Sequence, residues 1–357
     1  FLSKKVLFDK EKLKINIRRS RLFQSVLIKR DINRREVAYI EENKMRLPGI
    51  HVQVEPLRSY VHKDLAAHVL GYLGEISKKE LETPRHARYQ LGDMIGKNGL
   101  EKIYESVLHG EKGFKNVEVD VSGRELKTLK KSHPESGNNL TLTLDVRVQR
   151  ELEELMQGTP EAPVRGSVVV MKVQTGEIIA MVSKPSFDPN IFAASISKKE
   201  WVSLIRDDEH PLQNRAIDGQ YPPGSTYKVV TAYAALAEKL IEPERTIFCP
   251  GHFRLGKGRY RCWKRSGHGA MNLHDALVQS CDVYFYTLGH QLGVDRLAQY
   301  AKKLGLGGRT GIRLAGEKPG LVPSKQWKRK ARNKPWFPGE TISVSIGQGY
   351  NLVTPLQ

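Results

Sequence analysis

Ser225 and Lys228 lie three residues apart, where a Pro-Pro-Gly turn meets the apolar, helix-forming stretch 229–236. On a helix, residues i and i+3 share a face with Cβ atoms about 5–6 Å apart, so the Lys228 amine is expected to reach the Ser225 hydroxyl. A helix N-terminus favours the negative charge that develops on an attacking serine, and apolar surroundings favour a neutral, basic lysine. The spacing therefore predicts acyl transfer, with Ser225 as nucleophile and Lys228 as general base.

The same four-residue spacing occurs once more, at Ser195 and Lys198. That copy is followed by the polar residues Lys199 and Glu200, which are typical of an exposed helix start. The Ser225 copy is instead followed by small apolar residues. We therefore interpret Ser195 as an ordinary helix cap with a surface lysine.

A second polar pair, Ser280 and Asp282, lies where one apolar helix-forming segment gives way to another. A serine acyl-transferase needs a further polar element that passes protons between its lysine and the leaving amine. We predict that Ser280 and Asp282 provide it. The S-x-D pattern is common by itself, and its weight here comes from its combination with Ser225 and Lys228.

Periodic patterns predict the elements that position these residues. The expected strands are 140–144, 166–171 and 176–182, the last two forming a hairpin with a turn at 174–176. The expected helices are 146–156, 225–240, 273–279, 283–292 and 295–304. A sheet with a helical lobe indicates an α/β (α+β) enzyme core with Ser225 at the junction. A polar, turn-rich segment at 130–139 is interpreted as a linker between domains 1–137 and 138–357.

Composition narrows the classes of function. The chain has 357 residues and a net charge of +19, with its basic residues in scattered clusters that are not interleaved with aromatic residues. This distribution disfavours nucleic acid and suits an anionic lipid or polymer. No segment approaches the about 18 apolar residues of a membrane span, and no signal peptide opens the chain. We expect either a soluble protein or one whose anchor has been removed.

Three cysteines and a histidine fall close together in the sequence, at Cys249, Cys262, His268 and Cys281. Four such ligands suit a closed tetrahedral zinc site, which would tie a hairpin-like insertion at about 247–270 to the segment that carries Ser280. The alternatives are a disulfide between Cys249 and Cys262, with Cys281 as a buried thiol, and three unrelated thiols. His252 could replace a cysteine as ligand, but we interpret His252 and His274 as surface or helix residues.

Beyond these motifs, longer segments resemble the elongation-specific class B penicillin-binding proteins. In the second domain the resemblance rests on Pro185 to Asn190, Asn214 to Ala216, Trp263 to Gly269, Thr310 to Ile312 and Ile346 to Tyr350. In the first domain it rests on Gly96 to Glu105 and Glu118 to Arg124, and it covers most of the chain from about Leu47. Related sequences also place metal ligands in the insertion, some using aspartates where this chain has cysteines.

The resemblance implies a penicillin-binding, serine β-lactamase-like transpeptidase domain preceded by an extended α+β pedestal of the dimerisation type. It implies a peptidoglycan D,D-transpeptidase that forms an acyl-enzyme on Ser225, releases D-alanine, cross-links stem peptides during cell elongation and is inhibited by β-lactams. Such proteins have one helix in the inner membrane and a periplasmic catalytic domain. Their partners are a SEDS-family glycosyltransferase and rod-shape scaffold proteins.

The family's third motif, Lys-Thr-Gly on a sheet strand, has no counterpart here, since Arg309-Thr310-Gly311 matches a different family segment. We expect the sequence to continue beyond Gln357 toward that strand, which would supply part of the oxyanion hole.

Two other functions are compatible with the sequence. A β-lactam sensor or hydrolase would share Ser225 and Lys228 but needs a carboxylate that activates water, for which Glu209 and Asp218 are the neighbouring acids. A scaffold that activates the glycosyltransferase would not need the acyl-enzyme.

Overall fold

The structure is a computed structural model that describes residues 6–19, 26–54, 57–120, 125–159, 162–193 and 196–357. The chain forms two compact units. Unit 1 comprises Phe1–Leu144 and Pro185–Leu212, and unit 2 comprises Asp145–Lys184 and Gln213–Gln357. Among the described residues, no helix combines the length and apolar character that crossing a membrane requires.

Helices and strands are numbered in chain order. The helices of unit 1 are α1 (Lys10–Arg19), α2 (Arg34–Glu42), α3 (Ala67–Leu70), α4 (Lys78–Leu81), α5 (Gly99–Ile103), α6 (Glu105–Leu108), α8 (Asn190–Ala193) and α9 (Lys198–Arg206). Its strands form two antiparallel pairs, β1 (Leu73–Glu75) with β2 (Met94–Gly96) and β3 (Phe114–Val119) with β4 (Glu125–Ser132).

The helices of unit 2 are α7 (Val146–Leu155), α10 (Lys228–Ala237), α11 (Leu273–Val278), α12 (Asp282–Leu292), α13 (Val294–Lys303), α14 (Lys325–Arg332) and α15 (Pro338–Val344). Its strands are β5 (Gly166–Met171), β6 (Ile178–Lys184), β7 (Ile247–Cys249), β8 (His252–Leu255), β9 (Gly258–Arg261) and β10 (Gly269–Met271). They pair antiparallel as β5 with β6, β7 with β10 and β8 with β9.

Unit 1 differs from the predicted first domain because it includes residues 185–212. Aromatic packing explains the difference, since Phe192 stacks on Tyr72 with ring centroids 4.0 Å apart. The Asn190 side chain also brackets Tyr60, accepting from its backbone N at 2.9 Å and donating to its carbonyl at 3.0 Å. The predicted boundary at residue 138 remains a prediction.

Glu101 and Glu105, both in the 96–105 segment, are buried in unit 1 and hold neighbouring loops in place through hydrogen bonds and an ion pair. The carboxylate of Glu105 accepts from the Gly96 backbone N at 2.6 Å, and Glu101 pairs with Arg58 at 2.8 Å. Buried carboxylates are stable only with such partners. These residues therefore have a structural role in unit 1. Ser195, Gly123 and Arg124 lie outside the described residues.

In unit 2 the predicted hairpin and helices form, with ends within a few residues of those expected. Helix α7 packs on β6 through Gln149, which is buried and bonds both the backbone N and the carbonyl of Met181, at 2.8 and 3.0 Å. The prediction of a strand at 140–144 is wrong, because this segment has no ladder partner among the described residues. Alternation alone does not form a strand without a neighbouring strand.

Helices α10 to α13 and α15 contribute residues to the core of unit 2. Helix α12 lies at its centre and buries eight of its eleven residues. It packs against α10, α13 and α15. This packing brings the start of α12, with Asp282, against the start of α10, with Lys228.

Asp145 caps α7, and its stabilising effect is expected to depend on pH. Its side chain accepts from the backbone N of Arg147 and Val148, and the hydrogen bonds from Arg147 lower the pKa of Asp145 to about 2. Since an unfolded aspartate titrates near 3.9, the stabilisation is complete above about pH 4 and is lost as the pH falls toward 2.

The Asp145→Asn variant keeps a cap oxygen without titrating, so it is the matched control. We expect the difference in unfolding free energy between the wild type and this variant to shrink from pH 5 to pH 2, as measured by denaturant titration. A difference that is constant over this range would contradict the prediction.

Candidate active site and metal centre

Ser225 lies on a single three-ten turn, Gly224–Tyr227, which runs directly into α10 at Lys228. Its side chain is exposed, whereas Tyr227 and Lys228 are buried. Gly347 lies against this turn and accepts a hydrogen bond from the Gly224 backbone N at 2.9 Å. Its φ is +73°, and a Cβ there would be 2.2 Å from the Gly224 carbonyl oxygen. Only glycine therefore permits this close support of the Ser225 turn.

Lys228 is almost fully buried, with 1% of its surface exposed. Its Nζ lies 2.6 Å from Asp282 Oδ1, 2.8 Å from the Ser280 carbonyl oxygen and 2.9 Å from Ser280 Oγ. Three acceptors match the three N–H bonds of an ammonium group. The ring of Phe285 covers the amine at 5.6 Å from its centroid.

Ser280 connects the lysine to the nucleophile. Its hydroxyl accepts from Lys228 and donates to Ser225 Oγ at 3.0 Å. The predicted i, i+3 contact is corrected accordingly, because the hydrogen bonds of Lys228 go to Ser280 and Asp282. The lysine therefore reaches Ser225 through the hydroxyl of Ser280.

The backbone of Ser280 has a left-handed conformation, with φ +51°. The N–H of Ser280 bonds the Leu277 carbonyl, and the N–H of Cys281 bonds the Ala276 carbonyl. This pattern is a Schellman motif at the end of α11, in which glycine normally occupies the left-handed position. A serine there costs about 1–3 kcal/mol, and such strain is concentrated at functional sites.

We expect the free energy of unfolding of Ser280→Gly to be about 1 kcal/mol higher than that of Ser280→Ala, so that the glycine variant is the more stable. Glycine adopts the left-handed conformation without steric cost. Both variants lack the hydroxyl, so they form a matched pair and both should acylate slowly. Denaturant titration of the two variants measures the difference. Equal stabilities, or a more stable alanine variant, would contradict the strain at this position.

The four predicted metal ligands converge on one point. Cys249 ends β7, Cys262 follows β9, His268 precedes β10, and Cys281 caps α12. The predicted hairpin-like insertion is thus β8 with β9, lying between the first two ligands. All four ligand atoms lie within 4.8 Å of one another.

The geometry of these four residues fits a tetrahedral zinc ion. His268 Nδ1 lies 3.6 Å from Cys249 Sγ and 3.5 Å from Cys262 Sγ. Bonds of about 2.3 Å to sulfur and 2.0–2.1 Å to nitrogen place tetrahedral ligand atoms about 3.5–3.8 Å apart. All three cysteines are free thiols. His252 and His274 are outside the cluster, where they contact Arg259 and Asp275.

Burial shifts the pKa values of two of these ligands, His268 and Cys281. Burial lowers the pKa of His268, with a further contribution from Lys264, and this direction favours the neutral imidazole that a metal ligand requires. Burial also raises the pKa of the Cys281 thiol to about 12. A bound cation would reverse this effect, because coordinating thiols are deprotonated.

The tripeptide Arg309-Thr310-Gly311 lies outside any strand, and the Thr310 backbone N and hydroxyl both donate to Glu317 at 2.6 Å. Asp218, the acid considered for a hydrolase, contacts Gln213 and Lys318. Sequence reasoning assigned no role to Trp263, although its position directly after the ligand Cys262 was a signal.

An exposed serine joined through a second serine to a buried lysine is the arrangement of a serine acyl-transferase. Residues 166–357 match the family of penicillin binding protein transpeptidase domains, and residues 2–142 match the penicillin-binding protein dimerisation domain. The chain therefore belongs to the penicillin-binding protein transpeptidase family. This match confirms the resemblance and the mixed helix and strand fold class.

The chain is 40% identical over 351 residues to the peptidoglycan D,D-transpeptidase MrdA of Acinetobacter baumannii, covering 98% of this chain and 52% of that protein. It thus spans about half the length of the curated relatives it matches.

Solved structures agree with this match. The complex between the penicillin-binding protein PBP2 and MreC from Helicobacter pylori has a TM-score of 0.85 at 34% identity, covering 98% of this chain and 65% of that one. Pseudomonas aeruginosa PBP2 in complex with WCK 5153 has a TM-score of 0.71 at 37% identity, covering 85% and 63%.

Proposed function

We propose that this protein is a peptidoglycan D,D-transpeptidase of the elongation-specific group. The observation that carries the proposal is the hydrogen-bonded chain from Lys228 through Ser280 to Ser225. The family and the name of its relatives support the reaction type. Ser225 is the nucleophile, Lys228 the general base, and Ser280 and Asp282 carry protons and hold the lysine.

With Lys228 protonated, its ammonium group donates to Asp282 and Ser280. When Lys228 is neutral, the direction of the hydrogen bonds reverses, so that Ser225 donates its proton to Ser280 and Ser280 donates its own proton to the lysine. The Ser225 oxygen attacks the carbonyl carbon of the D-Ala-D-Ala peptide bond. The C–N bond breaks, and the leaving D-alanine amine takes the proton back through the same chain.

The second half of the reaction repeats these transfers in the opposite sense. An amine of a neighbouring stem peptide attacks the ester carbon, its proton passes to Lys228, and the C–O bond to Ser225 breaks. The proton then returns to Ser225, and the stems are cross-linked. Ser280, in the turn between α11 and α12, therefore passes protons in both halves of the reaction.

We also propose that Cys249, Cys262, His268 and Cys281 hold a structural zinc ion. The ligand spacing and the buried thiols support it. Zinc would neutralise the thiolates and cross-link the insertion to Cys281, which lies between Ser280 and Asp282. It would contribute to positioning rather than to the chemical step.

We base the proposed cellular location and partners of the protein on its family. We place the protein in the inner membrane through a single N-terminal span, with the catalytic domain in the periplasm. Peptidoglycan stem peptides and β-lactams are its ligands. A SEDS-family glycosyltransferase and rod-shape scaffold proteins are its partners, and the relative solved as a complex with MreC supports the scaffold.

Mass spectrometry of the full-length protein after incubation with a penicillin tests the function. We expect a stable penicilloyl adduct on the Ser225 peptide and none in the Ser225→Ala variant. Failure of the wild type to form an adduct would overturn the proposal in favour of a scaffold. An adduct that turns over quickly would instead indicate a hydrolase.

A further inference from the structure

Trp263 donates hydrogen bonds to the turn between α11 and α12, at residues 279–282, which carries Ser280. The residue is 63% exposed, yet its backbone N–H and its indole N–H both donate to residues 279–282. The backbone N bonds Asp282 Oδ2 at 3.0 Å. The indole Nε1 bonds the carbonyl oxygens of Gln279 at 3.0 Å and Ser280 at 3.1 Å.

These contacts fall where the backbone is strained. The Ser280 carbonyl accepts from Lys228 Nζ on one side and from the indole on the other. Together the two donors fix the plane of a peptide group that follows a left-handed serine. Strained conformations persist only where the surroundings over-determine them. Without the indole N–H, the Ser280 carbonyl would keep only the hydrogen bond from Lys228 of these two, and the Ser280 hydroxyl that faces Lys228 and Ser225 would be held less firmly.

The ring of Trp263 makes a separate contact with the metal cluster. It meets His268 edge-on, with ring centroids 5.2 Å apart. A ring without the N–H can retain this contact. The hydrogen-bonding and packing roles of Trp263 can therefore be separated by experiment.

We propose that Trp263 is a positioning residue that holds the Ser280 turn in its left-handed, hydrogen-bonded conformation through its indole N–H. The expected effect of Trp263 on the acylation rate rests on the proposed acyl transfer by Ser225. The structural consequence, a rigid turn at 280–282, is independent of that reaction.

The test compares three forms of the full-length protein: the wild type, Trp263→Phe, and a form in which Trp263 is replaced by 3-benzothienylalanine, which keeps the ring shape and lacks the N–H. For each, penicillin acylation is resolved into a dissociation constant and a first-order acylation rate. We expect both altered forms to acylate about 10–100-fold more slowly with an unchanged dissociation constant, since small misplacements of reacting groups have effects of this size. Zinc content and Tm should stay at the wild-type values.

Trp336→Phe is the matched control, because the Trp336 indole also donates one hydrogen bond in unit 2, to Thr341 Oγ1 at 2.8 Å. It should acylate like the wild type. Wild-type acylation by the benzothienyl form, or equal slowing of both phenylalanine variants with a lower Tm, would overturn the proposal.

Hydrogen exchange separates this inference from the proposed function. The amides of residues 280–282 should exchange faster in both Trp263 forms and not in Trp336→Phe. This readout remains interpretable if the wild type is not acylated at all, which would overturn only the proposed function. Unchanged exchange at 280–282 would overturn the positioning role.

Discussion

Replacing Lys228 by methionine is expected to slow the acylation of Ser225 by a penicillin about 10²–10⁴-fold, the usual contribution of a general base. Methionine fills a similar volume but cannot accept the proton that Ser225 passes through Ser280. Stopped-flow measurement of the second-order acylation rate constant with a fluorescent penicillin tests this expectation.

The same substitution also removes the cation that pairs with Asp282, which is itself buried. Breaking a buried pair from one side typically costs about 3–5 kcal/mol, so slow acylation could reflect misfolding. The double variant Lys228→Met, Asp282→Asn removes both charges and keeps an oxygen that can accept from Trp263. We expect it to regain stability while remaining slow. Acylation within tenfold of the wild-type rate in a folded Lys228→Met variant would exclude the lysine as base.

Removing the proposed zinc is expected to lower Tm by about 10 °C and to slow acylation. Each kcal/mol lost lowers Tm by about 2–4 °C in a domain of this size, and structural zinc sites contribute several times that energy. The segment 280–282 should lose rigidity, because the cluster joins Cys281 to Cys249, Cys262 and His268 of the insertion. Elemental analysis should find one zinc per chain in the wild type and none after treatment with a strong chelator.

Point variants distinguish the ligands from their neighbours. Cys262→Ser should lose zinc and stability together, whereas His252→Ala and His274→Ala should retain the metal, since neither belongs to the cluster. If the native protein contained no zinc and a thiol reagent detected only one of the three cysteines as a free thiol, the result would instead establish the disulfide that the sequence left open.

The sequence by itself determined the features that depend on local spacing. The interval from Ser225 to Lys228 placed both residues at one helix start, and helices α7 and α10 to α13 followed from their apolar periodicity. The hairpin of β5 and β6 followed from alternation on both sides of a turn. Ligand chemistry sufficed to group three cysteines and a histidine. The helix start, the helices and the hairpin rest on backbone geometry that repeats over a few residues, which is why the pattern alone sufficed, whereas the metal ligands were grouped by their chemistry.

Only the tertiary structure decided how these pieces meet. The segment at 140–144 alternates like a strand but has no ladder partner in the described part of the chain, and residues 185–212 pack with unit 1 through aromatic contacts. The packing of α12 against α10 routes Lys228 to Ser225 through Ser280, and a serine in place of the usual glycine ends α11 in a left-handed conformation. Trp263 reaches that turn from the insertion. These contacts join residues far apart in the chain, and their geometry is set by side-chain packing between elements, which no local pattern encodes.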